Sequence, residues 1–366
     1  MTGQARTVRV RVLLVLAVLP LSACHRAEPW TAVAFPTTAG DTVAQLRDGI
    51  AVGSHRGERT EPRWWQDGPR GWQAGRMAFE PFSEDGAHAR LLSLTRGGDR
   101  VAAIGYAVSA LHGSQRPVLF QADGAGPLRE TYLLRELFGG PRLISTGRIA
   151  SGPAGFLAVG TRSSPGASDR PAAQVWQATS PPDWARLDDE PGLASRPGEQ
   201  VWGNDIAVGP GRAVVVGRRD VAGQPNDAAA WFSDAGGRAW QRVGSLDGRS
   251  GPQQLDRVAA MGTGFVAAGS SNGAVEVWRS ADGSSWTHRA LDAPVPPGGV
   301  VDLAVRGRSY AVSVVADGRV AVFLDGHKLP SLPGRERATA AAVGFDGGDN
   351  LVVAVTTAAG VRVYQR

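Results

Sequence analysis

The residues that could do chemistry in this chain are few and scattered. Gly269-Ser270-Ser271-Asn272-Gly273 has the Gly-x-Ser-x-Gly spacing of a serine nucleophile. That chemistry needs a strand-to-helix turn with partner Asp and His. Here a second strand-like run, Ala274 to Ser280, follows directly. The histidines His25, His55, His88, His112, His288 and His327 form no His-x-His or His-Glu-x-x-His pair, so the usual zinc spacings are missing. Asp346 to Asn350 (Asp-Gly-Gly-Asp-Asn) offers oxygens for calcium but reads first as a hairpin turn. Asp188-Asp189-Glu190 is the densest acidic cluster. Neighbours in one loop read as a solvated surface, not as the opposed pair that cleaves a glycosidic bond. No Gly-x-x-x-x-Gly-Lys-Ser/Thr phosphate loop occurs. No metal and no cofactor is expected.

What remains is a surface. Ser54 to Arg63 carries Arg56, Arg59 and Arg63, Thr161 to Ala173 carries Arg162 and Arg170, and Gly217 to Ala230 carries Arg218 and Arg219. These stretches read as long loops, and their seven arginines make the candidate binding face. Acids interleave with them, which is also how an ordinary solvated surface looks.

The elements that must position such residues are short and β-rich. Leu255 to Gly262, Gly264 to Gly269, Ala274 to Ser280 and Trp286 to Leu291 read as four antiparallel strands, A to D, joined by hairpins. The order recurs along the chain. Strand-B glycines fall at Gly53, Gly105, Gly160, Gly217 and Gly269, at spacings of 52, 55, 57 and 52. Tryptophans recur at the start of strand D, at Trp72, Trp184, Trp240 and Trp286. Seven units of about 49 residues match the period of propeller blades. The predicted fold is all-β, a seven-bladed β-propeller of four-stranded antiparallel blades. Eight blades, or six plus a cap, are the alternatives. The last unit lacks a strand D, and Trp30 to Phe35 (WTAVAF) looks like the missing one. The N-terminal strand is therefore expected to close the last blade and remove the exposed edges.

The C–D turns resemble the Asp-box of sialidase-type (BNR) propellers, Ser-x-Asp-x-Gly-x-x-Trp. Ser233 to Trp240 keeps Ser233, Gly237 and Trp240, with Asp234 one place early. Ser280 to Trp286 keeps Ser280, Asp282, Gly283 and Trp286 but is one residue shorter. Looser versions carry Asp67, Asp123 and Asp325. The resemblance covers most blades and is degenerate in each. It implies structural turns, in which Asp bonds backbone N–H groups and the aromatic packs the blade. Catalytic sialidases also use three arginines, one in a Phe/Tyr-Arg-Ile-Pro motif, and a Tyr–Glu pair. That tetrapeptide is absent, and Tyr106, Tyr132, Tyr310 and Tyr364 are the tyrosines available.

The first residues point to location. Arg6, Arg9 and Arg11 precede an apolar run, Val12 to Ala23, too short to span a bilayer comfortably. Leu21-Ser22-Ala23-Cys24 resembles the lipobox of bacterial lipoproteins, in which the cysteine takes a diacylglycerol and becomes the N-terminus. Cys24 is the only cysteine in the chain. The expected organisation is a signal peptide over 1–23, a lipid-anchored tether over 24–29 and one propeller over 30–366. The anchor would hold the protein on the outer face of the cell membrane, each buried CH₂ contributing roughly 0.8 kcal/mol. Removing residues 1–23 takes three arginines and no acid, so the net charge of +5 becomes +2, which argues against a nucleic-acid binder.

The expected function is a monomeric binding or assembly module for a cell-surface protein or glycan. The alternative is a carbohydrate-active enzyme, glycoside hydrolase or lyase. Carboxylates gathered in the central channel beside arginine would favour the enzyme, whereas a channel of Ala, Val and Gly would count against it.

Overall fold

The computed structural model describes residues 29–366 except 82, 109–114, 125, 132–136, 139, 164–169, 180–182, 189, 245, 247–250, 297–298 and 300. Residues 1–28, on which the expected signal peptide and Cys24 fall, lie outside the described residues. Seven antiparallel sheets follow one another along the chain. Blades 1 to 6 span 41–74, 90–131, 143–186, 199–242, 253–294 and 302–328. Blade 7 combines 338–365 with Thr31–Val33. The architecture is the seven-bladed β-propeller predicted from the repeat.

Blade 5 shows how each sheet is built. Its strands are A (Gln253–Met261), B (Gly264–Ser271), C (Ala274–Ser280) and D (Thr287–Pro294). Strand A lines the axis and strand D the rim. Strand B is covered on both faces, so it reads as a continuous apolar run. In blade 7 every residue of strand B, Leu351–Thr357, is buried. Large side chains of strand C, including Trp64, Trp176, Trp231 and Trp278, fill the spaces between blades. Truncating one such tryptophan costs about 3–5 kcal/mol.

The strand-B glycines have one cause. Strand A carries a β-bulge opposite them, between Val43 and Gln45, Leu91 and Ser93, Gly203 and Asp205, and Leu255 and Arg257. The bulge presses a carbonyl of strand A against the glycine. A Cβ on Gly53 would lie 1.8 Å from Thr42 O, and one on Gly269 would lie 2.1 Å from Gln254 O. Only glycine allows that approach.

The last blade closes as expected. Thr31 pairs with Gln365 and Val33 with Val363. Trp30 Nε1 donates to Pro330 O (2.8 Å). Phe35 sits 5.1 Å from Trp65 and 5.2 Å from Trp72, tying the strand to blade 1. Gln365 Nε2 donates to Asp346 Oδ2 (2.6 Å), in the A–B turn. Strand D of blade 7 therefore starts on the side of the A–B and C–D turns, called the lower side below. The B–C turns and D–A loops form the upper side.

Two features depart from the sequence reading. Blade 2 gains a fifth outer strand, Met77–Ala78, parallel to Leu128–Thr131. In blades 1 and 4 the arginine-bearing stretches are mostly strand, not loop. In blade 1, strands B (Ile50–Arg56) and C (Thr60–Gln66) leave only 57–59 as a turn. In blade 4, Arg212–Val221 pairs with Asp227–Asp234 from Arg219–Asp227 downward. Cross-strand hydrogen bonding continues past the glycine, so these hairpins stand up from the ring.

Candidate functional site

The Asp-box-like turns hold themselves. Ser280 Oγ accepts from Gly283 N (2.7 Å) and Asp282 N (3.3 Å). Asp282 accepts from Ser284 N (2.9 Å) and Ser284 Oγ (2.6 Å), which hold its carboxyl below the usual range. Gly283 has φ +82°, and Trp286 Nε1 donates to its carbonyl (3.0 Å). In blade 4 the early aspartate still ties its turn: Asp234 Oδ1 accepts from Gly236 N (2.9 Å) and Arg238 N (3.1 Å). Ser233 Oγ donates to Asp234 O (2.8 Å), and Gly237 N donates to the same carbonyl (3.0 Å). Trp240 is buried, and its backbone N–H donates to Glu190 Oε2 (3.0 Å). Asp325 Oδ1 accepts from Tyr310 N (2.9 Å). Asp67 bonds through its backbone N–H to Gly49 O (2.8 Å). Asp123 stands exposed, 3.9 Å from Arg100 Nε.

The acidic cluster is occupied by neighbours. Asp188 takes a two-point contact from Arg186 (2.5 and 2.8 Å). Glu190 ties blade 3 to blade 4, and residue 189 lies outside the described residues. Ser271 is the central serine of the Gly-x-Ser-x-Gly match. It precedes Asn272 and Gly273, both at positive φ, in a tight hairpin turn into strand C.

The seven arginines stand on three upper hairpins, in blades 1, 3 and 4, with blade 2 between the first two. Arg63 meets Glu61 (2.9 Å), Arg218 meets Asp220 (3.2 Å) and Arg219 meets Asp227 (2.5 Å). Arg218 also lies over Trp202. Arg170 Nη1 donates to Arg196 O (2.9 Å), and Arg59 Nη1 lies 3.2 Å from His88 Nε2. Arg162 is pushed below the usual arginine range by burial and by Arg186. Arg56 is exposed.

The axis holds a charge cluster that the sequence reading did not single out. Strand A is an edge strand, so some of its N–H groups have no sheet partner. Side chains of the preceding blade satisfy them. Gln45 Oε1 accepts from Leu94 N (2.7 Å) and Ser93 Oγ from Ile149 N (3.3 Å). Asp205 Oδ2 accepts from Val258 N, and Asp302 Oδ2 from Val343 N, both at 3.0 Å. Asp256 Oδ2 accepts from Val301 N (3.0 Å). Strand A thus carries one recurring polar position in successive blades. Over blades 3 to 6 that position reads Arg148, Asp205, Arg257, Asp302.

These carboxylates have no spare oxygen. Asp205 Oδ1 accepts from Ile206 N (2.8 Å), Asp256 Oδ1 from Gln254 Nε2 (2.8 Å) and Asp302 Oδ1 from Arg257 Nε (2.9 Å). Burial pushes Asp256 up to about 6 and also raises Asp205. Arg148 falls to about 10, through burial and then the Arg257 charge. The nearby axial cavity, reached by Asp205 and Gln45, has about 90 Å³. Ligand pockets run from roughly 300 to 1,000 Å³. This arrangement can latch blades together, and the cavity beside Asp205 is too small for a sugar ring. Among the described residues, no group of three or more His, Cys, Asp or Glu is placed to hold a metal.

A ligand-sized space lies off the axis, between blades 6 and 7. This cleft has about 840 Å³. Its walls are the B–C turn of blade 6 (317–318) with the start of the strand that follows (Arg319–Leu324), the D–A stretch 331–338, and strands B and C (Gly360–Gln365) of blade 7. Arg362 (Nε) meets Glu336 Oε2 at 2.8 Å and closes a second contact from Nη2 to Oε1. That pair holds the Glu336 carboxyl below the usual range. Arg319, Arg335 and Arg337 reach the same space. The Arg337 stem lies across Gly318, where a Cβ would sit 2.2 Å from its Cγ. Tyr364 is 6 % exposed and lines the cleft. Burial raises its hydroxyl, so it stays an O–H donor.

The channel charges were hidden from sequence reading because they sit singly inside apolar strands. A signal was available: polar residues in strand A recurring at the blade period, from Arg148 through Asp205 and Arg257 to Asp302.

No family profile and no curated protein matches the chain. Solved structures do. The phage phi92 endosialidase is matched over 92 % of this chain and 68 % of that one, with TM-score 0.52 and 10 % identity. The Cps50 (Swd1) β-propeller domain of Myceliophteria thermophila is matched over 92 % and 100 %, with TM-score 0.53 and 10 % identity. The sialidase of Trypanosoma rangeli is matched over 90 % of this chain with TM-score 0.46 and 12 % identity. The chain spans about half of that enzyme's length (54 %). At these identities the likeness is one of fold: the chain has sialidases and another β-propeller as its fold neighbours.

Proposed function

We propose that the protein is a lipid-anchored, extracytoplasmic binding module that presents the upper side of its ring to a cell-surface protein or glycan. One contrast supports this most. The axial carboxylates are committed to backbone N–H groups and side chains, and the cavity that Asp205 lines has about 90 Å³, whereas an 840 Å³ cleft opens off the axis. The fit of strand D in blade 7 supports an orientation. Its chain enters on the lower side, so a tether from Cys24 would leave that side toward the membrane and turn the upper side outward.

Two measurements test this. Cys24→Ser should release the protein from membrane fractions, and retention there would refute the anchor. The anchored protein, solubilised in mild detergent, should capture a saturable envelope component, and should lose it when upper-side residues are changed. The enzyme reading keeps one supporting observation, the carboxylates beside Arg148 and Arg257. Glycoside cleavage by the parent that is lost in Asp256→Asn, with the fold retained, would establish that reading instead.

A further inference from the structure

The cleft between blades 6 and 7 has a hydrogen-bonding character of its own. Four arginines and two acids line it, a net charge of +2. One arginine is consumed, because Arg362 forms a two-point pair with Glu336, itself braced by Thr357 Oγ1 (3.3 Å). Among the described residues, Arg319, Arg335 and Arg337 have no hydrogen bond or ion pair. Tyr364, more than nine-tenths buried, adds a hydroxyl without a partner among the described residues. Arginine has five N–H donors and no acceptor, and a neutral phenol also donates. Asp317 is the one acid left over. Three like charges around one space repel each other unless an anion joins them. The planar guanidinium fork fits carboxylate and phosphate oxygens two at a time.

We propose that this cleft binds a ligand carrying two or more carboxylate or phosphate groups, with Arg319, Arg335 and Arg337 as the charge partners and Tyr364 as a hydroxyl donor. The proposal deepens the binding-module reading and rests on it in taking the upper side as the working side. It differs from the axial channel, where each aspartate already has its partners.

Calorimetric titration of the full chain with citrate and, separately, with pyrophosphate at about 0.05 M salt tests it. Saturable one-to-one binding of either probe is expected. Citrate alone assigns a carboxylate ligand, pyrophosphate alone a phosphate ligand, and both together a site that reads charge. Arg335→Gln and Arg337→Gln should each weaken binding about tenfold, as loss of one charge-assisted contact does. Tyr364→Phe should weaken it by a smaller factor without disturbing the fold. Arg56→Gln, on the blade 1 hairpin, should leave it unchanged. Absence of saturable binding to both probes overturns the proposal, as does equal weakening by Arg56→Gln. If Arg335→Gln and Arg337→Gln proteins still capture the envelope component in full, the anion site falls while the binding-module reading stands.

Discussion

The aspartates of the axial channel and the arginines of the cleft between blades 6 and 7 stand in opposite states, the first paired and the second open. In the channel, Asp205, Asp256 and Asp302 use both carboxylate oxygens, and Arg257 is locked to Asp302. In the cleft, the Arg362–Glu336 pair is the one closed among the described residues. Paired carboxylates latch the ring on the axis, where Arg148 Nη1 stays buried without a partner among the described residues, whereas the unpaired arginines of the cleft face solvent and are open to a ligand. The upper hairpins of blades 1, 3 and 4 fall between the two. Several of their arginines have found an acid or a carbonyl, and Arg56 stands exposed.

The sharpest break in this contrast comes from opening the ring. Deleting residues 29–36 removes strand D of blade 7 with Trp30 and Phe35, and should cost more than about 5 kcal/mol, since one buried tryptophan alone carries about 3–5. Urea unfolding checks it, and a truncated protein that melts like its parent would mean that blade 7 closes without this strand. Next in size, Asp302→Ala leaves Val343 N–H unpaired and Arg257 without its acid. About 3–5 kcal/mol of destabilisation is expected from unfolding curves, as when one half of a buried pair is removed.

Asp256 gives a smaller effect, carried by pH. Its carboxyl titrates near 6 in the fold and near 3.9 in an unfolded chain. Between those values the folded state holds a proton that the unfolded chain has released. Its contribution to stability is therefore full below about pH 4 and is lost as pH rises through about 6. Asp256→Asn should flatten that part of the stability–pH curve relative to the parent. An unchanged slope would mean that the channel is more hydrated than its burial implies. The smallest effect belongs to the cleft. Arg335→Gln should shift unfolding by no more than about 0.5 kcal/mol, because its side chain is exposed and unpaired. A loss of several kcal/mol there would erase the distinction between the two regions.

Much of the architecture was legible residue by residue. The glycines at 53, 105, 160, 217 and 269 recur because each meets a carbonyl of strand A, so their spacing carries the blade period. Trp30 could be matched to Trp286 because both begin a strand D. The arginine hairpins were read as loops because composition alone cannot distinguish a polar turn from two polar strands paired above the ring. The Arg-Asp alternation was missed because each member is one polar residue in an otherwise apolar strand.

The sequence by itself determined the local grammar: strand length, turn chemistry, the glycines that bulges require and the repeat that makes seven sheets. These depend on neighbours a few residues apart, where backbone sterics and side-chain type decide the outcome. Only the tertiary structure decided which charges are satisfied. Asp302 meets Arg257 across 45 residues, and Arg335 and Arg337 share a cleft with Tyr364 across nearly 30. Whether a charge is paired or free depends on distances of a few ångströms, and closure of the ring sets those distances.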